Sequence, residues 1–506
     1  MQLARDLVAI VGEANVLADE AARRLASSDI FVWPDAVLAD LVVRPGSTEE
    51  TARVAALLAR EGRAIVPRGA GLSYTAGAVP HSPAVVVDTA RLDGVEIHAG
   101  DLCAVVGAGC TWERLDEALR QHGLRAVQSG PLSGSRSTVG GAAAQNLPGG
   151  MDGVVGVTVV LADGTVARTG SAARGVPFHR YGGPDLTGMF LGDCGAFGIK
   201  TEVALRLAPR RAGAFASFAL DDADDAVAGA QALLEHGLVT RVMVMDQAKG
   251  VGATQVDAGE AARIVGAVAK GAPSLGQALK DVAQLARGRG ALREAPWSLH
   301  LTVDAASAQA AEADLALARK LVTERLGERA REIDNVVPKT LHAKPYSIRG
   351  IVGPQGERWV PVHGILPLSQ ARAAMAALRA HLAAQAAALA SAGVSVQWLA
   401  SSVGAYLTIE PMFYWRDALE ELQLAQLSER NRARFAGAPE NPAARALVAR
   451  LRAELRDLFD RHGAVHVQTG RFYRLAELMD PGSRELLARV KRALDPSGPM
   501  NPGALA

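Results

Sequence analysis

The residues best suited to chemistry lie in a glycine-rich turn that follows an apolar strand. Small side chains in such a turn leave several backbone N–H groups exposed, and these form a concave site that suits a phosphate group. A tight strand–loop–strand connection would show the same glycines, so the turn alone leaves both interpretations open. It consists of Pro67, Arg68, Gly69, Ala70, Gly71, Leu72 and Ser73.

Three further segments are also rich in small residues. The first places hydroxyl groups beside two glycines, which suits backbone packed against a pyrophosphate or the edge of a flavin ring. Singly, each segment could be a structural turn. They are Ser135–Ala142 with Ser137, Thr138, Gly140 and Gly141; Gly192–Glu202 with Gly198 and Ile199; and Asp495–Gly503 with Asn501.

The elements that must position these turns alternate between strand and helix over residues 40–212. Ser47 and Glu50 have capping-box spacing and predict a helix that stops at Gly62. The strand AIVPRGAG then runs into the first glycine turn. Thr111 is the expected N-cap of a second helix, and Asp163-Gly164 predicts a hairpin.

A second α+β domain is predicted from Gly213 onwards, where long alanine-rich helices appear. The clearest of these helices is expected to begin at an N-cap, Ser369, and to end at Gly393. We therefore predict three segments: 1–212 and 213–461 as two domains, and 462–506 as a C-terminal return to the first.

Composition excludes several classes of protein. The chain has 506 residues, 49% hydrophobic and 21% charged, which is typical of globular domains. With 54 basic and 53 acidic residues, its net charge of +1 predicts no nucleic-acid partner. No apolar run reaches the roughly 20 residues of a transmembrane helix. Three cysteines without a CxxC pair argue against a disulfide framework, a cysteine zinc site or an iron–sulfur cluster.

Taken in order and spacing, these motifs resemble the vanillyl-alcohol oxidase / p-cresol methylhydroxylase superfamily of FAD-binding oxidoreductases. The first domain is most similar to the D-lactate dehydrogenase and glycolate oxidase subunit branch. The resemblance is carried by Val43–Pro45 with Ser47–Glu50, Pro67–Pro80, Ser137–Gly150, Leu161–Gly164, Gly192–Leu207 and Asp495–Gly503. It implies an α+β fold, with a PCMH-type FAD-binding domain of two α/β subdomains and an α+β cap domain of the FAD-linked oxidase C-terminal type.

The resemblance also implies a bound FAD whose pyrophosphate lies against the 67–73 turn and the 137–141 turn. By the same likeness, Pro131, Gly198, Ile199 and Asn501 are expected to contribute to the cofactor site. Leu72 stands where relatives with covalent flavin often have a histidine, so we expect non-covalent FAD, with attachment through another residue left open.

The resemblance points to the C-terminal stretch 463–474 and to the cap for substrate handling. In the metal-using hydroxy-acid branch, a Glu and a His stand where this chain has Gln468 and Thr469. Both histidines of the companion cap motif are also missing from 402–409. Because Gln, Thr, Ser and Ile form no plausible divalent-cation site, we predict no catalytic metal.

Two interpretations of the substrate site stay open. In the first, Arg349, Arg471 or Arg474 grips the carboxylate of a 2-hydroxy acid such as D-lactate, with His466 or Tyr473 as the proton acceptor. In the second, Tyr473 and Arg474 hold a phenolate, as a Tyr-Arg pair does in the branch that oxidises 4-alkylphenols. A surface Tyr-Arg pair and a structural histidine are the ordinary alternatives.

We therefore expect an FAD-dependent oxidoreductase acting on CH–OH donors, with a small organic substrate. A separate electron acceptor (oxygen, a quinone or a cytochrome) would then reoxidise the flavin. A flavin-fold protein without catalytic activity is the alternative from another class. The expected location is the cytoplasm, with peripheral association with the inner membrane left open, and a homodimer is also left open.

Overall fold

The chain divides into two compact units, and each contains segments distant in sequence. The computed structural model describes residues 2–128, 130–147, 151–252, 258–271, 276, 283–284, 290–346 and 351–505. The first unit comprises Met1–Arg210, Leu419–Ala436 and Val467–Ala506, and the second comprises Arg211–Ala418 and Gly437–His466. This division differs from the predicted one in two places: the segment 419–436 groups with the first unit instead of the 213–461 domain, and the final return begins at Val467 instead of at 462.

Among the described residues, ten strands lie in the first unit and eight in the second. In the first unit they are β1 (Val16–Leu17), β2 (Leu41–Val43), β3 (Ala64–Arg68), β4 (Ala84–Asp88), β5 (Val95–His98), β6 (Cys103–Gly107), β7 (Leu124–Ala126), β8 (Val154–Val160), β9 (Val166–Arg168) and β10 (Ile199–Pro209). In the second they are β11 (Ala212–Leu220), β12 (Arg241–Asp246), β13 (Trp297–Ala305), β14 (Arg331–Ile333), β15 (Arg358–Pro361), β16 (Gly364–Leu366), β17 (Val394–Val403) and β18 (Tyr406–Trp415).

The helices are numbered in chain order. Up to residue 210 they are α1 (Gln2–Val11), α2 (Glu20–Ala26), α3 (Thr48–Arg60), α4 (Trp112–Arg120), α5 (Val139–Gln145) and α6 (Leu186–Met189). Then follow α7 (Ala223–Glu235), α8 (Gln247–Gly252), α9 (Ala258–Gly271), α10 (Ala308–Leu326), α11 (Val336–Ala343), α12 (Leu368–Ala384) and α13 (Ala386–Ser391). The last are α14 (Glu421–Ala425), α15 (Glu429–Phe435), α16 (Pro442–Arg461), α17 (Leu475–Leu478) and α18 (Pro481–Leu494).

The first sheet of the first unit delivers the glycine turn. Its order is β1-β2-β4-β3, with β2, β4 and β3 parallel and β1 antiparallel. Helix α3, whose N-terminal Glu50 N–H donates to Ser47 Oγ at 3.1 Å, connects β2 to β3. The tail extends the sheet, because Ile65 N–H donates to Pro499 O and Asn501 N–H donates to Ile65 O, each at 2.7 Å. The buried strand β3 therefore ends in the turn in a fixed position.

The second sheet of the first unit is antiparallel and has the order β5-β6-β10-β8-β9, with β7 also paired to β10. All seven residues of β8 are buried, as expected for a β-branched strand at a sheet centre. The turn after β8 contains Asp163 and Gly164, as the hairpin signal predicts. Strand β10 begins directly after the small-residue turn at Gly192–Gly198.

The second unit is built on one antiparallel sheet of eight strands. The order is β14-β11-β13-β12-β17-β18-β15, with β16 paired to β18. Helices α7 and α10 pack against β11, β12 and β13. The predicted helix from Ser369 differs in detail: α12 begins at Leu368 after Pro367, no side chain caps it, and Gln385 separates it from α13. The alanine pattern predicted the helical type but not the break.

Candidate functional site

A cavity with about 800 Å³ of free space, counted out to its open mouth, lies within the first unit. Thirteen residues proposed from the sequence as cofactor contacts form part of its wall: Pro67, Arg68, Gly69, Ala70, Gly71, Leu72, Ser73, Ser137, Thr138, Gly140, Gly141, Gly198 and Ile199. The structure thus brings three of the four small-residue turns together around one space. Whether these residues bind FAD stays a prediction.

The turns approach each other more closely than side chains would permit. A Cβ atom on Gly69 would lie 2.5 Å from Thr138 Oγ1. Gly71 has φ +71°, and a Cβ there would lie 2.0 Å from Arg68 Nη2. The left-handed φ and these approaches both require glycine. Backbone, rather than side chains, therefore forms much of this wall.

Arg68 is the charged group of the turn, and it is only 5% exposed. Its Nη2 donates to the carbonyl oxygen of Leu25, near the C-terminus of α2, at 2.9 Å. Its Nη1 is buried and has no hydrogen-bond partner among the described residues. Burial lowers the pKa of Arg68, while the carboxylates of Asp88 and Asp29 act in the opposite direction.

Two of the expected cofactor residues lie outside this wall. Pro131 accepts a hydrogen bond from Gly134 N–H at 2.8 Å in a loop turn. Asn501 is fully buried, and its Nδ2 donates to the carbonyl oxygens of Gly77 at 2.8 Å and Cys194 at 2.6 Å. Asn501 therefore connects two loops of the cavity wall through hydrogen bonds, but it does not line the cavity itself.

The wall also contains polar residues that sequence reasoning did not select. Lys200 forms a buried ion pair with Asp193, with Nζ 2.5 Å from Oδ1. The Cys194 thiol lies 2.8 Å from Thr469 Oγ1 and accepts from Gly470 N–H. Burial raises the pKa of Cys194, so the group is a neutral thiol. Both residues belong to the small-residue segment Gly192–Glu202, and membership of this segment is the sequence feature that could have identified them.

Gln468 connects the C-terminal segment to the glycine turn. Its side chain lines the cavity, and its Oε1 accepts from Ser73 Oγ at 2.8 Å. The neighbouring Thr469 Oγ1 donates to Gly192 O at 3.1 Å. The two residues standing at the metal positions of the resembled branch are thus engaged in hydrogen bonds within the first unit. The described residues include no cluster of three or more His, Cys, Asp or Glu able to hold a metal.

His466, expected as a proton acceptor, has both ring nitrogens engaged in the second unit. Nδ1 lies 2.8 Å from the carbonyl oxygen of His363, and Nε2 lies 2.8 Å from Asp460 Oδ1. Both ring nitrogens thus have hydrogen-bond partners within the second unit. These contacts place His466 in a hydrogen-bond network of the second unit, and its role as a proton acceptor stays a prediction.

Arg471 is likewise engaged in holding loops of the first unit. Nη1 donates to the carbonyl oxygens of Ala76 and Val79, at 2.6 and 3.3 Å. Nη2 donates to Asn501 Oδ1 at 3.0 Å and to Pro502 O at 2.5 Å. Since all four N–H groups of the two terminal nitrogens have acceptors, the fork cannot also grip a substrate carboxylate bidentately. The expectation of a substrate anchor at Arg471 is corrected to a structural one.

The remaining candidates are Tyr473, Arg474 and Arg349. Tyr473 is 2% exposed, and its ring packs edge-to-face on Phe472 with centroids 4.9 Å apart. Arg474 occupies the N-cap position of α17 and is half-buried. Arg349 lies outside the described residues. The substrate roles of all three stay predictions.

One carboxyl group in the second unit has acid–base properties that the sequence did not reveal. Burial raises the pKa of Glu410, on β18, to about 7, and the positive charge of Lys249 opposes this shift. Burial also lowers the pKa of Lys249. A carboxyl group that titrates near neutral pH is suited to proton transfer.

Comparison with known proteins identifies the first unit more closely than the second. Residues 39–170 match the FAD binding domain family. The chain is 29% identical over 199 residues to D-lactate dehydrogenase of Archaeoglobus fulgidus, covering 37% of this chain and 43% of that protein. It is 30% identical over 214 residues to glycolate oxidase subunit GlcD of Bacillus subtilis, covering 40% and 44%. The chain thus spans less than half the length of each of these relatives.

Solved structures match the whole chain at low identity. The structure of p-cresol methylhydroxylase with substrate bound has a TM-score of 0.73 at 17% identity, covering 100% of this chain and 96% of that one. The structure of 4-ethylphenol oxidase from Gulosibacter chungangensis has a TM-score of 0.72 at 17% identity with the same coverage. These likenesses show the fold, and they confirm the expected α+β class. Among the described residues, no helix has the length and apolarity to cross a membrane.

Proposed function

We propose that this chain, which carries an FAD-binding domain and has the fold of p-cresol methylhydroxylase, is an FAD-dependent oxidoreductase acting on CH–OH donors. The observation that carries the proposal is the cavity of the first unit, where three small-residue turns form a wall whose glycine backbone suits a diphosphate. When bound, FAD supplies the acceptor for a hydride. The chain's own part is to bind, to orient and to move a proton.

The preferred substrate is a 2-hydroxy acid such as D-lactate. Its support is the similarity to proteins named D-lactate dehydrogenase and glycolate oxidase subunit, which covers only part of each protein. Because Arg471 is engaged elsewhere, Arg474 is the remaining described candidate for gripping the carboxylate. Tyr473 is the proposed proton acceptor, and no catalytic metal takes part.

Oxidation of a 4-alkylphenol or aromatic alcohol is the second candidate. It is favoured by the adjacent Tyr473 and Arg474, of which the tyrosine is buried. In this alternative, Arg474 stabilises the phenolate oxygen and Tyr473 donates to it. The likeness to p-cresol methylhydroxylase and 4-ethylphenol oxidase concerns the fold, so it does not decide between the two substrates.

Anaerobic reduction of the FAD-loaded protein tests the proposal. D- and L-2-hydroxy acids and 4-alkylphenols are added in turn while the flavin absorbance is followed. Bleaching by a hydroxy acid supports the preferred function, and bleaching by an alkylphenol supports the second. If the yellow protein is bleached by no member of either series, the substrate classes proposed here are wrong and a non-catalytic flavin protein becomes the better account.

The anchor is tested with Arg474→Ala in the same assay. Loss of charge-assisted hydrogen bonds should weaken the productive complex by about 1.5–3 kcal/mol. Arg489→Ala is the matched control, because Arg489 is exposed on α18. Equal rates and affinities for the Arg474 variant and the control remove Arg474 from the site.

A further inference from the structure

The first unit exposes a cluster of large apolar side chains that the proposed function does not use. Among the described residues, twelve such side chains are exposed, and five of them fall within residues 166–186. Single apolar residues scattered over a surface are ordinary, whereas a cluster of them marks a site of interaction. We call residues 166–186 the apolar loop. Its exposed members, between 36% and 59% exposed, are Val166, Val176, Phe178, Tyr181 and Leu186.

Hydrogen bonds hold the apolar loop in one shape. At its base, the buried hydroxyls of Thr169 and Thr187 lie 2.8 Å apart, and Thr169 Oγ1 accepts from Val157 N–H of β8 at 2.9 Å. Within the loop, Ser171 Oγ accepts from Phe178 N–H at 3.0 Å. Because these bonds fix the backbone, the apolar side chains cannot withdraw from solvent without breaking them.

The exposed groups also lie side by side. The centroid of the His179 ring lies 6.1 Å from that of Phe178 and 5.8 Å from that of Tyr181. Arg180 donates to both carboxylate oxygens of Asp185, and its guanidinium lies 5.8 Å from the Tyr181 ring. This ion pair brings the start of α6, with its exposed leucine, next to the rings. The loop therefore presents one continuous apolar patch.

The charge of the apolar loop is positive. It contains three arginines and a single carboxylate, Asp185, which is paired with Arg180. The other two arginines, Arg168 and Arg174, are exposed. Aromatic and aliphatic side chains beside exposed cations suit a bilayer that carries anionic lipids, since the rings lie at the boundary of the apolar phase and arginines contact lipid phosphates.

The size of the patch argues against a second copy of this chain as its occupant. The five side chains together expose roughly 450 Å², whereas a stable protein interface buries about 800 Å² on each partner. A symmetric dimer through this loop would also place its excess positive charge against itself. A lipid surface requires neither the larger area nor a complementary shape.

We propose that the apolar loop docks the protein on an anionic lipid bilayer, with Phe178, Tyr181 and Leu186 inserted among the headgroups and Arg168 and Arg174 on lipid phosphates. The inference does not depend on the proposed function, because neither FAD nor a substrate takes part in docking. It goes beyond that function by assigning a partner to a surface of the first unit. Docking at a bilayer also brings the protein to the phase in which a quinone acceptor dissolves.

Co-sedimentation of the full chain with lipid vesicles tests the inference. The wild-type protein should bind vesicles of phosphatidylcholine mixed with phosphatidylglycerol, and high salt or omission of the anionic lipid should weaken binding. The double variant Phe178→Ser, Tyr181→Ser should bind the mixed vesicles at least about 10-fold more weakly. The matched control is Leu478→Ser, Leu486→Ser, which removes two side chains that are 53% and 63% exposed elsewhere on the first unit.

Absence of vesicle binding by the wild type, or equal loss in the variant and its control, overturns the inference. A wild-type dimer that the Phe178, Tyr181 variant converts to a monomer in light scattering also overturns it, because the loop is then an interface between copies. If the variant does not fold, hydrogen exchange of the wild type decides. Mixed vesicles should slow exchange in 170–186 and leave 475–494 unchanged, and unchanged exchange in 170–186 contradicts docking.

Discussion

The buried polar groups of the two units are used in different ways. In the first unit, Arg471, Lys491 and Asn501 come from the C-terminal segment and satisfy carbonyl groups of loops near the cavity. In the second unit, Asp417 with Arg445 and Ser217 with His300 form networks among themselves. Side chains of the C-terminal segment thus fix loops around the cavity of the first unit, whereas these two pairs join strands and helices within the second unit.

The largest effect is expected for Asn501→Ala in the first unit. The substitution removes the donors to Gly77 O and Cys194 O and the acceptor for Arg471, and leaves these buried groups unsatisfied. We expect a loss of about 3–5 kcal/mol in the free energy of unfolding, together with weaker FAD binding. Urea unfolding and FAD titration measure the two effects, and Asn431→Ala on α15 is the control. If the variant is destabilised but binds FAD with full affinity, then Asn501 supports the fold of the first unit without supporting FAD binding.

A smaller loss, with FAD affinity retained, is expected for Asp417→Asn in the second unit. The Asp417 carboxylate is fully buried and accepts from Arg445, Trp415 Nε1 and Asn441 N–H. Breaking such a buried pair should cost about 3 kcal/mol. The control is Asp224→Asn, because Asp224 pairs with Arg372 at the surface, where loss should cost about 0.5 kcal/mol. A fall in FAD affinity equal to that of the Asn501 variant would contradict the division of roles.

The same substitution has a defined pH dependence. Burial raises the pKa of Asp417, but hydrogen bonds from Arg445, Asn441 and Trp415 outweigh this and hold the pKa below its ordinary value. The stabilisation is therefore present above the unfolded-state pKa of about 3.9 and is lost as the pH falls through the lower folded-state value. Acid unfolding curves of the wild type and of Asp417→Asn should converge in that range.

The smallest effect is expected from His300, which is buried on β13 between Ser217 Oγ and Ser298 Oγ. Burial lowers its pKa to about 3, against about 6.5 in the unfolded chain. The unfolded state therefore takes up a proton first, and stability falls between pH 6.5 and 3, by about 2 kcal/mol at pH 5. His300→Gln should flatten this slope, whereas exposed His236→Gln should not. A slope that survives in His300→Gln contradicts the assignment.

Local signals in the sequence predicted the first unit well. Ser47 and Thr111 cap the expected helices α3 and α4, because capping depends on residues three positions apart. The glycine turns at strand ends met around one cavity, since sheet edges bring successive turns together. The same reasoning missed the contacts of Arg471 and His466 with Ala76 and His363, because these partners lie 395 and 103 residues away in sequence.

The assignment of residues 419–436 to the first unit could not be predicted either, because it also depends on contacts between residues distant in sequence. Gln423 Nε2 donates to Ile30 O at 3.0 Å, a contact across 393 residues that no local pattern reports. The residues that flank this segment lie in the second unit, where Asn441 N–H donates to Asp417 at 2.8 Å. A domain boundary drawn from composition assigns such a segment to the same domain as its neighbours in sequence. Long-range hydrogen bonding, not periodicity, decides where it belongs.

The discontinuity of the first unit has a consequence for biosynthesis. Gln468 supplies part of the cavity wall, and Lys491 and Asn501 fasten its loops, yet the ribosome makes these residues after the entire second unit. Strands β2–β4 must therefore wait through the translation of more than half of the polypeptide before their last supports arrive. A nascent chain stalled before Val467 would expose an unfinished cradle, so prosthetic-group capture belongs to the final moments of translation or to the time after release.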